Sequence, residues 1–213
     1  MGERALSAQT ARRVYDRLGR RHDWGERYEG RAKARALQLL DLHPGQRALN
    51  VGVGTGLDHR RLQTAVLPGG VAVGLDLSPA MLALTRARTG APVCRADARR
   101  LPLRAGSVDR LLCTYVLDLL PTGDLPVVLG EFWRVLVPGG RVALVTLTEG
   151  VSVASRAVVA GWKALYAVSP IATFGCRPLR VAGLVAAAGF VGRRGEVVVQ
   201  LGVPSEVIVA VRP

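Results

Sequence analysis

The sequence predicts an α/β protein with a doubly wound, seven-stranded, mainly parallel sheet preceded by N-terminal helices. Short apolar runs alternate with amphipathic segments from residue 46 onward, the pattern of a parallel sheet covered on both faces. A glycine-rich turn, Gly52-Val53-Gly54-Thr55-Gly56, joins the first apolar run to a helical segment. Two further strand-like runs close the chain with no helix between them.

Residues 7–20 read as an amphipathic helix, with Ala11, Val14, Tyr15 and Leu18 on one face and Arg13, Arg17 and Arg20 on another. A second helix is expected over Glu26–Leu42, stopped by His43-Pro44-Gly45. Strands are expected at Arg47–Val51, Val71–Leu75, Val93–Arg95, Val108–Thr114 and Arg141–Leu147. Helices should begin near Leu57, Ser78, Asp124 and Ser155. Cys176-Arg177-Pro178 reads as the start of a further helix, which covers Leu179–Ala188 and ends at Gly189. Glu196–Leu201 and Glu206–Val211, separated by a turn with Gly202 and Pro204, read as a hairpin that supplies an antiparallel C-terminal strand. No repeat or linker divides the chain, so residues 1–213 read as one domain. Its parts are a helical cap (1–45), a ligand-binding core (46–148) and a C-terminal region (149–213).

The composition excludes some classes. The chain has 213 residues, 49% of them hydrophobic, which is enough for a sizeable core and incompatible with global disorder. Lys and Arg together number 29 against 16 Asp and Glu, giving +13, and only Lys33 and Lys163 are lysines. That balance favours anionic partners such as nucleic acid or an acidic lipid surface. No apolar stretch approaches the roughly 20 residues of a spanning helix. Arg4, Arg12 and Arg13 interrupt any apolar signal core. Cys94, Cys113 and Cys176 are odd in number and lack metal-ligand spacing, so neither a disulfide framework nor a metal site is expected. The expected location is the cytoplasm, or the inner face of its membrane.

The glycine turn carries the most chemistry. Glycine lets the backbone turn sharply and approach a ligand where a Cβ would collide. A dinucleotide fingerprint requires G-x-G-x-x-G, and the third position here holds Leu57, so the dinucleotide reading fails. Asp76 ends the second strand, about 20 residues beyond the turn, where a carboxylate can accept both hydroxyls of a ribose. Ser78-Pro79 then opens a helix. Asp97-Ala98 follows the third strand and Thr114-Tyr115 the fourth. All of these lie at the strand ends where open α/β sheets bind ligands.

Taken together, LNVGVGTGLD (49–58), VGLDLSPAML (73–82), RADARRLPLRAGSVDRLLCTYVLDLLP (95–121) and EFWRVLVPGGRVALV (131–145) resemble the Rossmann-like class I S-adenosylmethionine-dependent methyltransferases. The run Glu131-x-x-Arg134-Val135-Leu136-x-Pro138-Gly139-Gly140 is similar to the methyltransferase_11-like group. Tyr15-Asp16-Arg17-Leu18, with His22-Asp23-Trp24, is similar to the opening of the ubiquinone/menaquinone C-methyltransferases and bacterial phosphatidylethanolamine N-methyltransferases. Gly19 and His22 depart from that opening, where Ala and a second Tyr are usual.

The resemblance implies S-adenosylmethionine as cofactor, S-adenosylhomocysteine as product and no metal. Gly52, Val53, Gly54, Thr55 and Gly56 would cradle the methionine portion, and Asp58 would either face its amine or cap the helix. Asp76 would hold the ribose, Leu77 and Met81 would flank the adenine, and Asp97 with the Ala98 main chain would bind the adenine edge. Thr114 and Tyr115 would border the methionine and the acceptor.

If the acceptor must lose a proton, His22 is the leading base, with Tyr15 and Tyr115 behind it. The competing reading is that His22, beside Arg20 and Arg21, is a solvated helix end. His43 and His59 read as structural. The segment Val151–Gly175, with Trp162, Tyr166, Ile171 and Phe174, reads equally as core packing or as a cover over the acceptor. The acceptor class implied is a small molecule or lipid, a quinone precursor or phospholipid-like compound, with the Arg-rich first helix against an anionic membrane. The alternatives are methylation of RNA or DNA, and a protein that binds S-adenosylmethionine without turnover. The few aromatics (5%) and the lack of an Asn/Asp-Pro-Pro-aromatic run after the fourth strand weigh against nucleic acid.

Overall fold

A computed structural model describes residues 5–213, and Arg4 lies outside the described residues. The sheet starts from β1 (Arg47–Val51), which pairs in parallel with β2 (Val71–Asp76) on one side and β4 (Val108–Thr114) on the other. β3 (Val93–Arg95) extends the sheet beyond β2, and β5 (Leu136–Leu147) extends it beyond β4. The terminal hairpin, β6 (Val191–Gln200) and β7 (Val203–Val211), completes the order β3-β2-β1-β4-β5-β7-β6. β7 is antiparallel to both neighbours and lies between β5 and β6. The strand order reverses between β1 and β4, which opens a crevice at their carboxyl ends.

Alternation along the central strands explains why both faces are covered. Leu111 and Cys113 of β4 and Val142 and Leu144 of β5 join one apolar cluster, with Phe132 and Leu129 of α5 (Leu125–Val135) and Val185 of α7 (Ala182–Ala187). Leu112, Ala143 and Val145 turn to the other face, against Ala36 and Leu40 of α2 (Glu26–Leu40) and Leu62 of α3 (Leu57–Val66). Successive side chains point to opposite faces, so one apolar run fills two cores.

The helix starts follow from capping. Ser7 accepts from the Thr10 amide at α1 (Ala8–Leu18), and Ser78 accepts from the Met81 amide at α4 (Pro79–Thr89). Ser152 and Ser155 form a reciprocal capping box at α6 (Val153–Val168). α1 stops at Gly19, and a 3-10 stretch, Gly19–Gly25, leads into α2.

Several boundaries differ from expectation; β6 begins at Val191 rather than Glu196, and α7 covers Ala182–Ala187 rather than Leu179–Ala188. β5 begins at Leu136 rather than Arg141, because the ladder with β4 runs on through a register shift between Val108 and Arg110. Cys176-Arg177-Pro178 is irregular rather than helical, consistent with the extended backbone that proline imposes on the residue before it. The final turn has two residues, Leu201 and Gly202, with φ of 51° and 82°. Both positive angles give the twist that a tight hairpin needs.

Candidate functional site

A cavity of about 310 Å³ lies at the carboxyl ends of β1, β2 and β4, under α1. The three glycines of the loop all have positive φ (72°, 56° and 87°), but they serve different ends. A Cβ on Gly52 would meet the Val116 side chain at 2.1 Å. One on Gly54 would project toward His22, 3.7 Å from its ring. One on Gly56 would press against Thr85 of α4 at 3.0 Å, and Gly56 does not line the cavity. Gly56 therefore serves helix packing, a correction to the cradle expected of it.

Asp76 is fixed by backbone amides: Oδ2 accepts from Gly54 at 3.0 Å and Oδ1 from Ser78 at 2.9 Å. Burial pushes its carboxyl above the usual range, against the lowering effect of those amides. Each oxygen retains lone-pair capacity for a further donor. Leu77, Ala98 and Thr114 line the cavity. Met81 does not, since it is fully buried and points into the packing of α4. Asp97 lines the cavity but is already gripped by Arg99, through Nε at 3.0 Å and Nη2 at 2.6 Å. Arg99 holds that carboxyl below its ordinary range although burial opposes it. Asp58 is nearly buried, pairs with Arg61 at 3.1 Å and is pushed up by burial.

The N-terminal segment roofs this cavity. Ser7, Ala11, Arg12 and Tyr15 of α1 line it, yet no residue of α1 is fully buried. Two polar clasps hold the roof. Asp16 accepts from Ser78 Oγ at 2.6 Å, and Asp23 accepts from Thr55 Oγ1 and from Arg88 Nη2 at 2.7 Å. Desolvation works against the Asp23 carboxylate, but the Arg88 and Thr55 bonds keep it below its ordinary range.

Sequence reasoning missed the charged wall opposite. Lys33, 5% exposed, is paired with Glu26 at 2.9 Å and Glu29 at 2.8 Å. Its Nζ also lies 5.6 Å from the centre of the Tyr115 ring. The carboxylates of Glu29, Asp58 and Glu26 raise its pKa despite burial. The available signal was spacing: Glu26, Glu29 and Lys33 continue the α2 stripe that becomes Ala36 and Leu40 in the core.

His22, Tyr15 and Tyr115 do come together. His22 is half-buried and faces the cavity, so it is not a solvated helix end; its ring lies 5.8 Å from that of Tyr15. Burial, then Lys33, lowers its pKa and keeps the imidazole neutral. Burial raises both tyrosines well above the usual phenol range. Tyr115 adopts a left-handed backbone, φ 53°, with its hydroxyl 2.6 Å from Ser205 Oγ. His59 is fully buried in α3 and lines neither chamber. His43 sits at the surface beside Asp41, 3.2 Å away.

A second cavity, of about 390 Å³, adjoins the first and shares four residues with it: Tyr15, His22, Glu29 and Tyr115. Its remaining walls include four aromatic side chains, Trp24, Tyr28, Trp162 and Phe174. The 151–175 segment thus supplies walls to this second chamber through Trp162 and Phe174. Burial holds Cys176, also on this wall, as a thiol.

Comparison with known proteins agrees with this architecture. Residues 49–144 match the family described as a methyltransferase domain. The chain is 37% identical over 117 residues to the malonyl-[acyl-carrier protein] O-methyltransferase of Pectobacterium atrosepticum, covering 54% of this chain and 44% of that one. It is 33% identical over 135 residues to the demethylmenaquinone methyltransferase of Thermus thermophilus, covering 61% and 59%. The chain thus spans about half the length of these curated relatives. A solved S-adenosylmethionine-dependent methyltransferase from Thermotoga maritima superposes with a TM-score of 0.72 at 19% identity, over 95% of this chain and 100% of that one, and so shares the fold. Fold and sequence agree: residues 49–144 match the methyltransferase-domain family, set in a seven-stranded sheet whose fold is shared with a solved methyltransferase.

Proposed function

We propose that this chain transfers a methyl group from S-adenosylmethionine to a small-molecule or lipid-type acceptor held in the aromatic chamber. The observation that carries the proposal is the pair of cavities meeting at one wall, where a neutral imidazole stands between them. The first cavity suits the cofactor. Gly54 leaves open the space that a Cβ would fill, Asp76 offers unused acceptor capacity, and Asp58 and Lys33 provide opposite charges for an amino-acid moiety. On this reading Gly52, Val53, Gly54, Thr55, Asp58 and Thr114 contact the methionine portion. Asp76 takes the ribose, and Leu77, Asp97 and Ala98 border the adenine. When bound, the sulfonium supplies an activated methyl group.

The work left to the protein is alignment and proton removal. Holding the acceptor against the shared wall supplies orientation, an effect that reaches up to ~7–11 kcal/mol in favourable systems. His22, being neutral, accepts the proton that an acidic hydroxyl or carbon loses. Tyr15 and Tyr115, being protonated, donate to or orient the same acceptor atom. Residues 1–45 act as the roof, 46–148 as the cofactor-binding core, and 149–213 as acceptor cover and hairpin.

Calorimetry with Asp76→Ala tests the cofactor assignment; loss of S-adenosylmethionine binding is expected, and unchanged affinity overturns it. A labelled-cofactor screen against lipid extract, quinone precursors and total RNA tests the acceptor class. Incorporation into the lipid or quinone fraction is expected. Label in RNA alone would favour the nucleic-acid reading, and binding without incorporation anywhere would favour a non-catalytic cofactor-binding protein.

A further inference from the structure

The segment after β5 differs in charge from the rest of the molecule. Residues 151–195 contain six basic side chains and no acidic one, so all 16 acidic residues of the chain lie elsewhere. Half of this stretch's charge is set around α6, with Arg156 and Lys163 on the helix and Arg180 grouped beside them; Glu149, just before the stretch, pairs with Lys163 at 2.6 Å and leaves the group net basic.

α6 is also turned the wrong way round for an ordinary surface helix. Ser155, Val159, Trp162 and Tyr166, spaced by four, three and four, form its inward stripe, and the Trp162 indole donates to the Cys176 carbonyl at 2.8 Å. At about 100° per residue, Ala157, Gly161 and Ala164 fall opposite that stripe, with Val153 and Val168 at the two ends of the same face. All five are exposed; Val153 is 85% and Val168 83% accessible. Arg156 and Lys163 lie together on one flank. A surface helix normally points its polar side outward, and contiguous exposed apolar area marks an interaction site.

The apolar face continues past the helix. Ile171 and Phe174 are exposed beyond its C-terminus, and Trp24, 69% exposed, lines the aromatic chamber together with Phe174. Arg21 lines the same chamber. Exposed Trp and Phe beside basic side chains, around an apolar helix face, is the composition of a segment that lies in a lipid–water interface.

We infer that this face, α6 with the 170–174 turn and Trp24, seats on an anionic lipid bilayer and turns the chamber mouth toward it. Charge selects this occupant over a second copy of the chain. Two copies meeting here would bring two net-basic surfaces together, three cations against Glu149, on molecules that each carry +13. An anionic bilayer is complementary to the flank charges, whose long side chains can reach its headgroups while the valines enter its apolar edge. The inference is independent of the methyl-transfer proposal, because docking needs neither cofactor nor turnover.

Sedimentation with vesicles of phosphatidylcholine and phosphatidylglycerol in equal parts, against pure phosphatidylcholine, tests it. Binding to the anionic vesicles only, weakened by salt, is expected. The double variant Val153→Glu, Val168→Glu, on exposed positions remote from the cofactor cavity, should lower the bound fraction by about tenfold or more. Its circular dichroism and its affinity for S-adenosylmethionine should match those of the unaltered chain. Absence of vesicle binding at low salt overturns the inference. So does binding that survives this variant but is lost on neutralising Arg13, Arg17 and Arg20, which would place the contact on α1. A concentration-dependent dimer abolished by the same double variant would assign the face to a second copy and equally overturn it.

Discussion

His22 and His59 are both removed from water, and their surroundings give them opposite roles. His22 opens onto the two chambers, so its low pKa extends the range in which it is neutral. His22→Gln keeps hydrogen-bonding capacity but removes the base. It should lower kcat by ~10²-fold or more for an acceptor that must lose a proton, with cofactor affinity preserved. The acid limb of the wild-type rate profile should fall below the ordinary histidine pKa, as steady-state rates across pH will show. His59 has no hydrogen-bond partner among the described residues at either ring nitrogen, and burial lowers its pKa to about 4. A lowered histidine pKa means that the unfolded chain binds the proton more readily, so stability is lost as pH falls from about 6.5 toward 4. His59→Leu removes both the unpaired nitrogens and this loss. It should stabilise the protein by ~1–2 kcal/mol at neutral pH, and by more at acid pH, in urea unfolding. Neighbouring residue types alone could not separate these histidines. His22 follows two arginines in the sequence, and only the fold of the 3-10 stretch turns it inward.

At the scale of elements, the strands were legible wherever apolar runs were bounded by turn residues, as in Arg47–Val51, Val93–Arg95 and Val108–Thr114. The final hairpin was harder. Its two-residue turn places Leu201, an exposed β-hairpin residue with no turn preference, in a left-handed conformation that glycine and asparagine tolerate better. Leu201→Asn should therefore stabilise the hairpin, by ~0.5–1 kcal/mol, read as a shift in the urea midpoint with an unchanged slope. Glycine spacing gave the position of the cofactor loop but not the division of labour within it. Gly56 is required by Thr85 of α4, a contact between residues far apart in the chain. The Met81 expectation failed for a similar reason: the turn of α4 that follows the Ser78 cap rotates this side chain into the core. The charged face of α2 was visible as spacing, yet nothing local indicates that it would be enclosed.

Across the whole molecule, Asp118 links three regions. Its Oδ2 accepts from the Leu147 amide at 3.1 Å, and its main-chain oxygen accepts from the Arg177 amide at 3.2 Å. Burial pushes this carboxyl up to about 7. Because the folded pKa exceeds the unfolded value, the native state binds the extra proton, and stability declines as pH rises from about 4 to 7. Asp118→Asn should flatten that decline, so that the difference in unfolding free energy between acid and neutral buffer shrinks relative to wild type. The roof over the first cavity has a kinetic consequence at the same scale. α1 and the 3-10 stretch cover the first cavity, and through Tyr15 and His22 they also complete the wall of the aromatic chamber. Lifting that cover to admit one ligand dismantles the berth of the other. On the proposed reading the two reactants therefore add in compulsory sequence, methyl donor before acceptor. The demethylated donor leaves last, competing with fresh donor and not with acceptor in product-inhibition plots.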